Sequence, residues 1–313
     1  MDKSEFSTRP ARILMHHPSA CASWHAVTDA HLTDLNFLEV PSADALCAQY
    51  DGLVETIARH SEPVFLRDIL AGDAGYAAEA AANPNLIFTR DSSITLPWAP
   101  DRFIATRPFL KSRAGEPAIV RRALEKLGLI NLVELEGDEY LEGGDVLPVM
   151  DAGKRILLVG FGARTTKGAA IKLALELIPH HLDQIIGLSH DHDLLHLDTG
   201  FTVLPGRTIF AAAGMFTTGF LIDETRALRP VNPIRYAEEM GFTIIRCEKR
   251  DAIDHERCNV LPLGDGNYIA FDMPVDLRGA LEKAADITVT CLDGSEIAKA
   301  AGGVHCLTRP LYS

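Results

Sequence analysis

Cysteine pairs are missing from this sequence: its six cysteines are spread thinly over 313 residues, and none forms a CxxC motif. This spacing excludes a zinc ribbon and the disulfide framework of a small secreted domain, and it favours reduced thiols in a cytoplasmic protein. No apolar run approaches the roughly 18 residues that span a bilayer. The first ten residues, MDKSEFSTRP, also lack an apolar signal core. We therefore expect a cytoplasmic protein with no membrane partner.

Basic residues are also scarce. The chain has 30 Lys and Arg against 43 Asp and Glu, and its formal net charge is −13. Without a basic run, it is poorly suited to the phosphate backbone of a nucleic acid, and we expect no such partner. A small cationic substrate fits this charge better. No Gly/Ser-rich or Pro-rich linker divides the chain, so we expect residues 1–313 to form one domain, with residues 1–11 as a loose N-terminal segment.

A repeating unit of two strands, a helix and a strand is present instead. In four regions a polar loop is followed by a hairpin pattern with Pro, Asp or Gly in the turn: residues 91–106, 143–160, 196–212 and 258–272. The fifth region, residues 302–311, has residues 12–18 as its partner strand. Helical periodicity covers residues 44–60, 117–128 and 168–178, and short strands are predicted at residues 63–66, 131–135, 184–188, 242–247 and 286–291. Five such α/β repeats favour a ring of similar units, and the alternative is a single open mixed sheet.

The polar residues with reactive chemistry lie at the start of these hairpins. They are Asp91, Glu142 with Asp145, His196 with Asp198, Asn259 and Cys306. Equivalent positions in a ring of repeats converge on one axis, so these side chains are predicted to surround one small molecule.

The segment SHDHDLLHLDTGF (189–201) resembles a metal cluster at first sight. If its second half is a strand, His196 and Asp198 point to the same side, where the carboxylate binds a cation or raises the basicity of the imidazole. Cys306 follows two glycines and is a candidate nucleophile. Each motif alone also has a structural interpretation: most single cysteines are packing residues, as we expect for Cys21, Cys47, Cys247, Cys258 and Cys291.

A family resemblance rests on five segments, PNLIFTRD (84–91), LEGGDV (141–146), GARTTKG (162–168), HLDTGFT (196–202) and GGVHCLTRPL (302–311). Together they resemble the arginine deiminase family of the guanidine-modifying superfamily, which includes dimethylarginine dimethylaminohydrolases and amidinotransferases. The resemblance implies a five-bladed α/β propeller of ββαβ units with pseudo-fivefold symmetry. It also implies a cysteine hydrolase that deiminates arginine or a close analogue without a cofactor or metal, with a homodimer as a candidate assembly.

The resemblance also implies residue roles. Cys306 matches the nucleophile that attacks the guanidinium carbon and forms a thiouronium intermediate. His196 matches the general acid and base, and Glu142 matches the carboxylate that supports its proton transfer. Asp91 and Asp198 match the pair that grips the guanidinium nitrogens.

At the amino-acid end of the substrate, Asn85, Arg113 and Arg164 match positions that hold it. The chain departs from the family pattern just before Cys306, where Ala300 and Ala301 stand in place of an arginine that contacts the substrate carboxylate. The aspartate of HLDT, which dimethylarginine hydrolases usually lack, favours an unsubstituted guanidinium.

Several alternatives stay open at this point. The first are hydrolysis of methylated arginine and transfer of the amidino group to an acceptor amine. A metal-dependent amidinohydrolase using the His/Asp cluster and a non-catalytic binding protein are the others. His305 is expected to point away from Cys306 if both lie in one strand.

Overall fold

A computed structural model describes residues 3–20 and 22–313. Within these residues the strands are β1 (Arg12–Met15), β2 (Glu62–Phe65), β3 (Ser93–Leu96), β4 (Ala99–Ala105), β5 (Ile130–Asn131), β6 (Val146–Asp151), β7 (Lys154–Phe161), β8 (Gln184–Ser189), β9 (Phe201–Leu204), β10 (Thr208–Ala211), β11 (Thr218–Asp223), β12 (Arg229–Val231), β13 (Thr243–Arg246), β14 (Leu261–Gly264), β15 (Asn267–Phe271), β16 (Thr288–Leu292) and β17 (Arg309–Leu311).

The α-helices between them are α1 (Leu32–Leu35), α2 (Ala43–Ile57), α3 (Leu66–Ile69), α4 (Tyr76–Ala81), α5 (Glu116–Lys126), α6 (Lys167–Leu177), α7 (Leu197–Gly200), α8 (Pro233–Glu239), α9 (Lys249–Asp254), α10 (Val275–Ala285) and α11 (Ser295–Ala298). Short 3₁₀ helices cover Pro18–Ala20, Ala22–Ala26, Asp29–His31, Pro84–Ile87, Thr89–Ser92, Lys111–Arg113, Gly143–Asp145 and Ala213–Met215. None of the helices in the described residues has both the length and the apolar composition needed to cross a lipid bilayer.

The described strands form five separate sheets that share one plan. Their strand orders are β17-β1-β2, β3-β4-β5, β6-β7-β8 extended by β11 and β12, β9-β10-β13, and β14-β15-β16. In each, an antiparallel pair is followed by a helix and a strand that runs parallel to the second member of the pair. The predicted mixed α/β repeat is thus confirmed, and the alternative of a single open sheet is wrong. Strand pairing closes no barrel within residues 3–20 and 22–313.

The predicted helices form because each presents one apolar face. In α5, Ile119, Val120, Ala123 and Leu124 are buried, and Pro117 occupies the first turn, where its missing N–H costs nothing. In α6, the hydroxyl oxygen of Thr166 accepts a hydrogen bond from the backbone N–H of Ala169 and caps the helix. Among the predicted strands, β5 is shorter than expected and covers residues 130–131 only.

The two ends of the chain meet in one sheet, as predicted. Strand β1 pairs antiparallel with β17, so that Ile13 lies opposite Pro310, and pairs parallel with β2 on its other side. Ile13, Leu14 and Met15 are fully buried. Burying three large apolar side chains stabilises this sheet by roughly 1.5–3 kcal/mol each.

The expectation of a loose N-terminal segment is wrong for its described part. Ser4, Glu5 and Phe6 are buried, and the backbone N–H of Glu5 donates to the carbonyl of Pro148 at 3.1 Å. The Glu5 carboxylate forms an ion pair with the buried Arg90. Burial opposes ionisation of Glu5, but the Arg90 charge and a hydrogen bond from His305 outweigh it and lower its pKa to about 2. A buried carboxylate with such partners holds the segment in place.

Candidate active site

Each sheet delivers a polar residue to the site from the loop just before the first strand of its antiparallel pair. Asp91 lies in the 3₁₀ turn before β3, and Glu142 directly precedes the turn before β6. His196 precedes the helical turn α7 before β9, Asn259 lies before β14, and Cys306 lies in the turn before β17. These equivalent positions bring residues from all five sheets together.

The local conformation of the HLD segment differs from the prediction. His196 and Asp198 do not share a strand, because His196 caps α7 and β9 begins only at Phe201. The helical turn sends the two side chains to different partners, Glu142 for His196 and His305 for Asp198. The common direction predicted for these two side chains is therefore wrong, although both are buried.

His196 is held between two carboxylates. Its Nε2 lies 2.7 Å from Oε2 of Glu142, and its Nδ1 lies 3.6 Å from Oδ1 of Asp91 without a hydrogen-bond partner among the described residues. Burial alone would lower the pKa of His196. The charge of Asp91, the Glu142 hydrogen bond and the charge of Asp145 outweigh burial and raise that pKa to about 10. The imidazole is therefore protonated at neutral pH, with Nδ1 free to act on a ligand.

Glu142 is the most heavily bonded carboxylate of the site. Its Oε1 accepts a hydrogen bond from the backbone N–H of Phe109 at 3.0 Å, while Oε2 faces His196 and lies 3.5 Å from Nη1 of Arg164. Burial favours the neutral carboxyl, but His196, Arg113 and Arg164 together hold the pKa of Glu142 well below its usual range. Glu142 and His196 thus form a buried ion pair.

The two glycines after Glu142 are required by close approach. A Cβ on Gly143 would lie 2.0 Å from the carbonyl oxygen of Arg90, and one on Gly144 would lie 2.8 Å from Nδ1 of His196. The backbone N–H of Gly144 donates to Oδ1 of Asp91 at 3.1 Å. No other residue lets this turn pass so near the imidazole and the carboxylate.

Cys306 is buried in the turn before β17. Its Sγ accepts a hydrogen bond from Nδ2 of Asn259 at 3.2 Å and donates to Oδ2 of Asp198 at 3.9 Å. Its carbonyl oxygen accepts from the backbone N–H of Arg90 at 3.1 Å, which ties the turn to the FTRD segment. Burial and the charges of Asp198, Glu256 and Asp91 raise the pKa of the Cys306 thiol well above its usual range. Without a bound cation the thiol is therefore neutral.

His305 approaches the site, because residues 304–307 form a turn and not the strand in which His305 would point away from Cys306. Its Nδ1 lies 2.7 Å from Oδ2 of Asp198, and its Nε2 lies 3.3 Å from Oε1 of Glu5. The ring of Phe6 stacks on the imidazole with centroids 6.4 Å apart. The N-terminal segment thereby fixes His305, and His305 fixes Asp198. The other Asp198 oxygen, Oδ1, is buried without a hydrogen-bond partner in the described chain.

The residues expected at the amino-acid end of a substrate line one pocket. Asn85, Arg113, Arg164, Ala300 and Ala301 lie around it together with Asp91, His196 and Cys306. The amide of Asn85 donates to the carbonyl of Leu35 at 3.0 Å. Positions 300 and 301 are alanines, so these two positions supply no positive charge to the pocket.

Arg113 is fully engaged with carboxylates. Its Nη1 donates to Oδ2 of Asp91 at 2.7 Å, and its Nε and Nη2 both donate to the buried Glu116. Burial opposes its charge, but Glu116 and Asp91 keep the pKa of Arg113 well above its usual range. One guanidinium already occupies an oxygen of the carboxylate that was predicted to hold a substrate guanidinium.

Glu256 borders the site through Asn259, whose backbone N–H donates to the carbonyl of Glu256 at 2.8 Å, and it was not predicted from the sequence. Its Oε2 is buried without a hydrogen-bond partner among the described residues. Burial and the charges of Asp198 and Asp91 raise its pKa to about 8, although His196 opposes this. The residue has a left-handed backbone, φ 48°, that turns the loop after α9 toward Asn259. The signal available in the sequence was its position two residues before the predicted hairpin start at residue 258.

The remaining residues singled out in the sequence are Asp145 and the other cysteines. Asp145 accepts hydrogen bonds from His190 and from the backbone N–H of Leu197, and so fixes the loop before His196. Cys247 and Cys258 are buried, whereas Cys47 and Cys291 are partly exposed. Cys21 lies outside the described residues.

A cation-binding geometry is also present. Asp91, Glu142 and His196 each offer one ligand atom, and these atoms lie within 4.8 Å of one another. Such donors suit a divalent metal in principle. Here Arg113 forms an ion pair with Asp91, and Arg164 forms one with Glu142, so the negative charge of these carboxylates is already balanced by cations of the protein.

The fold matches solved structures of guanidine-modifying enzymes. The N-terminal domain of ArgZ, an arginine dihydrolase from the ornithine-ammonia cycle in cyanobacteria, superimposes with a TM-score of 0.72 and 22% identity, covering 96% of this chain and 98% of that one. A dimethylarginine dimethylaminohydrolase gives a TM-score of 0.65 with 18% identity, covering 96% of this chain and 99% of that one. The mixed α/β architecture is therefore that of this superfamily.

The sequence comparison is more specific. The arginine deiminase family profile matches residues 28–313, and the chain belongs to that family. The arginine deiminase of Rhodococcus erythropolis is 27% identical over 249 residues, and that of Mycobacterium tuberculosis is 28% identical over 258 residues. These matches cover 73% and 72% of this chain but 60% of each relative, so the chain spans well under two thirds of the curated relatives it matches.

Proposed function

We propose that this protein hydrolyses the guanidinium group of free arginine or a close analogue, giving a ureido product and ammonia through a covalent thiouronium intermediate. The observation that carries the proposal is the single pocket shared by the Cys306 thiol, the protonated His196 and Asp91. A nucleophile, an acid and a carboxylate around one cavity are the groups that this displacement needs. Membership of the arginine deiminase family supports it.

Substrate binding uses Asp91 and Asp198. A guanidinium offers N–H donors in a planar fork that matches carboxylate oxygens. Oδ1 of Asp198 has no hydrogen-bond partner among the described residues. Asp91 binds the substrate guanidinium when the substrate shares the Asp91 carboxylate with Nη1 of Arg113 or displaces that Nη1. Each charge-assisted contact at 4 Å contributes on the order of 4 kcal/mol before desolvation.

The bound cation activates the thiol. The same carboxylates that raise the pKa of Cys306 lose their effect when a guanidinium neutralises them. The thiol proton passes to Asp198, whose Oδ2 is 3.9 Å from Sγ, and the thiolate keeps the hydrogen bond from Asn259. Substrate binding and nucleophile ionisation are thereby coupled.

His196 moves the remaining protons. The thiolate adds to the guanidinium carbon, and the C–N bond to the leaving nitrogen breaks as Nδ1 of His196 gives that nitrogen its proton. The neutral imidazole then takes a proton from water as the water oxygen attacks the thiouronium carbon. As the C–S bond breaks, the proton of the new hydroxyl group returns the sulfur to the thiol and the ureido product leaves. Asp198 gives the proton that it took from the thiol to the departing ammonia, which leaves as ammonium. Glu142 holds Nε2 throughout and keeps the ring oriented.

Two other outcomes of the same chemistry are hydrolysis of methylated arginine and transfer of the amidino group to an amine. The structural neighbours include an ArgZ domain covalently bound to a reaction intermediate and a dimethylarginine dimethylaminohydrolase adduct. Asp198 favours an unsubstituted guanidinium nitrogen, because methyl groups on that nitrogen would replace the N–H groups that donate hydrogen bonds to the free oxygen of Asp198.

We also infer that the five sheets are the blades of a five-bladed α/β propeller forming one catalytic domain over residues 1–313. The shared plan of the sheets and the delivery of one site residue by each support this arrangement.

The direct test is turnover of arginine, measured as ureido product and ammonia. Cys306→Ala should abolish turnover while arginine still binds in calorimetry, because the carboxylates are intact. Cys291→Ala, which truncates a partly exposed cysteine in β16, is the matched control and should keep wild-type rates. Turnover retained by Cys306→Ala would refute the nucleophile, and no reaction with any guanidino compound would refute the function.

A further inference from the structure

An apolar recess lies between the sheet that contains β6, β7 and β8 and the sheet that contains β9, β10 and β13. On the first sheet it is lined by alternate residues of β7 and β8: Ile156, Leu158, Ile186 and Leu188. Successive residues of a strand point to opposite faces, so these four side chains share one face of the sheet. On the second sheet Phe201 and Val203 of β9 line it in the same alternating way. The recess encloses about 730 Å³ together with the solvent at its opening.

The recess is open because the helix that covers it is short. In the shared plan of the sheets a helix follows the antiparallel pair, and α5, α6 and α10 each have 11 residues. The helix in the corresponding place before β13 is α8, which has 7 residues. At 1.5 Å per residue it is about 6 Å shorter than the others and covers less of the two sheets. Tyr236 and Ala237 of α8, and Met240 just after it, line the recess.

The polar side chains that line the recess lie at one end of it. Asp151 pairs with Lys154 in the hairpin between β6 and β7, and Gln184 is the first residue of β8. The loop that carries His196 begins at the other end of β8, so this polar end points away from the catalytic pocket. Nε2 of the buried Gln184 donates to the hydroxyl of Tyr236 at 3.4 Å, which leaves the hydroxyl proton free to be donated to a ligand. An apolar interior with a few polar groups is typical of a site for a small organic molecule.

The polar end carries a positive charge that belongs to no ion pair. Lys154 is exposed and has no carboxylate oxygen within 4 Å in the part of the chain that the structure describes. The carboxylates around it are each bound by an arginine: Asp151 by Arg207, Asp183 by Arg155 and Asp223 by Arg229. The charge of Lys154 is therefore available to an anionic group, and the charge at this end complements an organic anion.

We propose that this recess binds a small organic carboxylate with an apolar body, of the kind that a medium-chain fatty acid represents. The aliphatic chain lies between the two sheets and under α8, and the carboxylate accepts hydrogen bonds from Lys154 and the hydroxyl of Tyr236. Among the described residues, none lines both this recess and the pocket of Cys306. The site is thus separate from the proposed reaction, and its test does not depend on turnover of arginine.

Chain length and head-group charge test the chemistry of the ligand. Isothermal titration of the full-length protein with hexanoate, octanoate and decanoate should show binding that tightens about fourfold for each methylene that enters the recess. Octylamine, which has the same chain and the opposite charge, should bind at least about fivefold more weakly than octanoate. No measurable binding of octanoate at millimolar concentration would overturn the proposal, and equal binding of octylamine would refute a carboxylate ligand.

Two substitutions test the location. Ala237→Trp places an indole in the recess and should abolish octanoate binding, with circular dichroism as the check of folding. Lys154→Gln should weaken octanoate about fivefold and leave octanol unchanged, whereas Lys126→Gln, which changes an exposed lysine of α5, is the matched control and should behave as wild type. Because Lys154 is exposed, its variant tests the site even where the tryptophan variant does not fold.

Competition separates this site from the catalytic pocket. Arginine at saturating concentration should not displace octanoate, and Cys306→Ala should bind octanoate as tightly as wild type, because the two cavities have different linings. Displacement of octanoate by arginine would assign the binding to the catalytic pocket and refute the proposed site. Wild-type affinity in a folded Ala237→Trp variant would refute it as well.

Discussion

The side-chain amide of Asn259 joins two consecutive residues of the catalytic turn: its Nδ2 donates to Sγ of Cys306 at 3.2 Å, and its Oδ1 accepts from the backbone N–H of His305 at 2.8 Å. The amide therefore sets the direction of the thiol and stabilises its thiolate. Gly303 lies so close that an added Cβ would approach Oδ1 of Asn259 to 2.3 Å. Position 259 consequently accepts little besides an amide of this size.

Asn259→Ala should lower kcat by about 10–100-fold, since a hydrogen bond to a charged group contributes about 1.5–3 kcal/mol. The measurements are steady-state kinetics and the ultraviolet titration of the thiolate, whose pKa should rise in the variant. Asn267→Ala, at the turn before β15, is the control. A wild-type thiol titration in Asn259→Ala would contradict the assigned contact.

Glu142→Gln should move the pH dependence of the reaction. The pKa of His196 is about 10, so the acid form is lost as pH rises through that value. Without the Glu142 charge and hydrogen bond the alkaline limb of the kcat profile should shift to lower pH, and kcat should fall at least about tenfold. An unchanged alkaline limb would assign it to a different group.

The same ion pair affects stability. The folded-state pKa of His196 lies above its ordinary value of 6.5, so its contribution to stability is complete below pH 6.5 and is lost as pH rises through about 10. Urea titrations should show wild type and Glu142→Gln converging in stability toward alkaline pH. A gap that widens there would show that the pair is not ionised as inferred.

Glu256→Gln should increase the reactivity of Cys306 in the free enzyme. The Glu256 charge is one of the causes that raise the pKa of the thiol, so removing it should speed alkylation by iodoacetamide above pH 8. The folded-state pKa of Glu256 is itself raised from 4.5 to about 8, so its contribution to stability is complete below pH 4.5 and is lost as pH rises from there through about 8. The glutamine variant should thus be more stable than wild type at pH 9 and similar at pH 5. Equal alkylation rates at alkaline pH would place Glu256 too far from the thiol to matter.

Arg164→Ala tests which group holds a substrate carboxylate, because Ala301 supplies no cation and Arg113 is bound to Glu116 and Asp91. KM for arginine should rise about 10–100-fold, while KM for agmatine, which lacks the carboxylate, should stay near wild type. Arg121→Ala, on the outer face of α5, is the control. A parallel rise in both KM values would mean that Arg164 acts through Glu142 and not through the carboxylate.

Removal of metal ions should leave the rate unchanged. The ligand atoms of Asp91, Glu142 and His196 lie close enough to hold an ion, but Glu142 and His196 are already bonded to each other. Dialysis against a chelator followed by metal analysis and assay is the measurement. Added zinc should inhibit by competing for Glu142 and His196. Activity that disappears with the chelator and returns with zinc or manganese would favour a metal-dependent hydrolase.

The sequence was sufficient for the repeat and for the positions that deliver the site residues. Hairpin turns, amphipathic helices and apolar strands are local patterns, and the polar residue before each hairpin marks the converging loops. The pairing of residues 12–18 with 302–311 followed from an unpaired fifth repeat and is present as β1 with β17.

Contacts between distant loops were beyond such reasoning. The bridge from Glu5 through His305 to Asp198 joins residues at opposite ends of the chain, and no spacing in the sequence encodes it. Residues 1–11 are predicted to be a loose segment, whereas Glu5 forms an ion pair with the buried Arg90. The segment of residues 196–198 is predicted as a strand because its polar and apolar residues alternate. The same alternation is found here at the start of the short helical turn α7.

The pairing of β1 with β17 also sets the order in which the site is assembled. During synthesis β1 is made before the strands of the other four sheets and β17 after them, so the sheet that supports the Cys306 turn waits until the residues between Met15 and Arg309 have been made. Such a long-range pairing is slow to form, since the loop that it closes spans residues 16–308. The thiol therefore reaches Asn259 and Asp198 only after the other four sheets are able to fold, and a nascent chain that stops short of β17 lacks the sheet that supports the Cys306 turn.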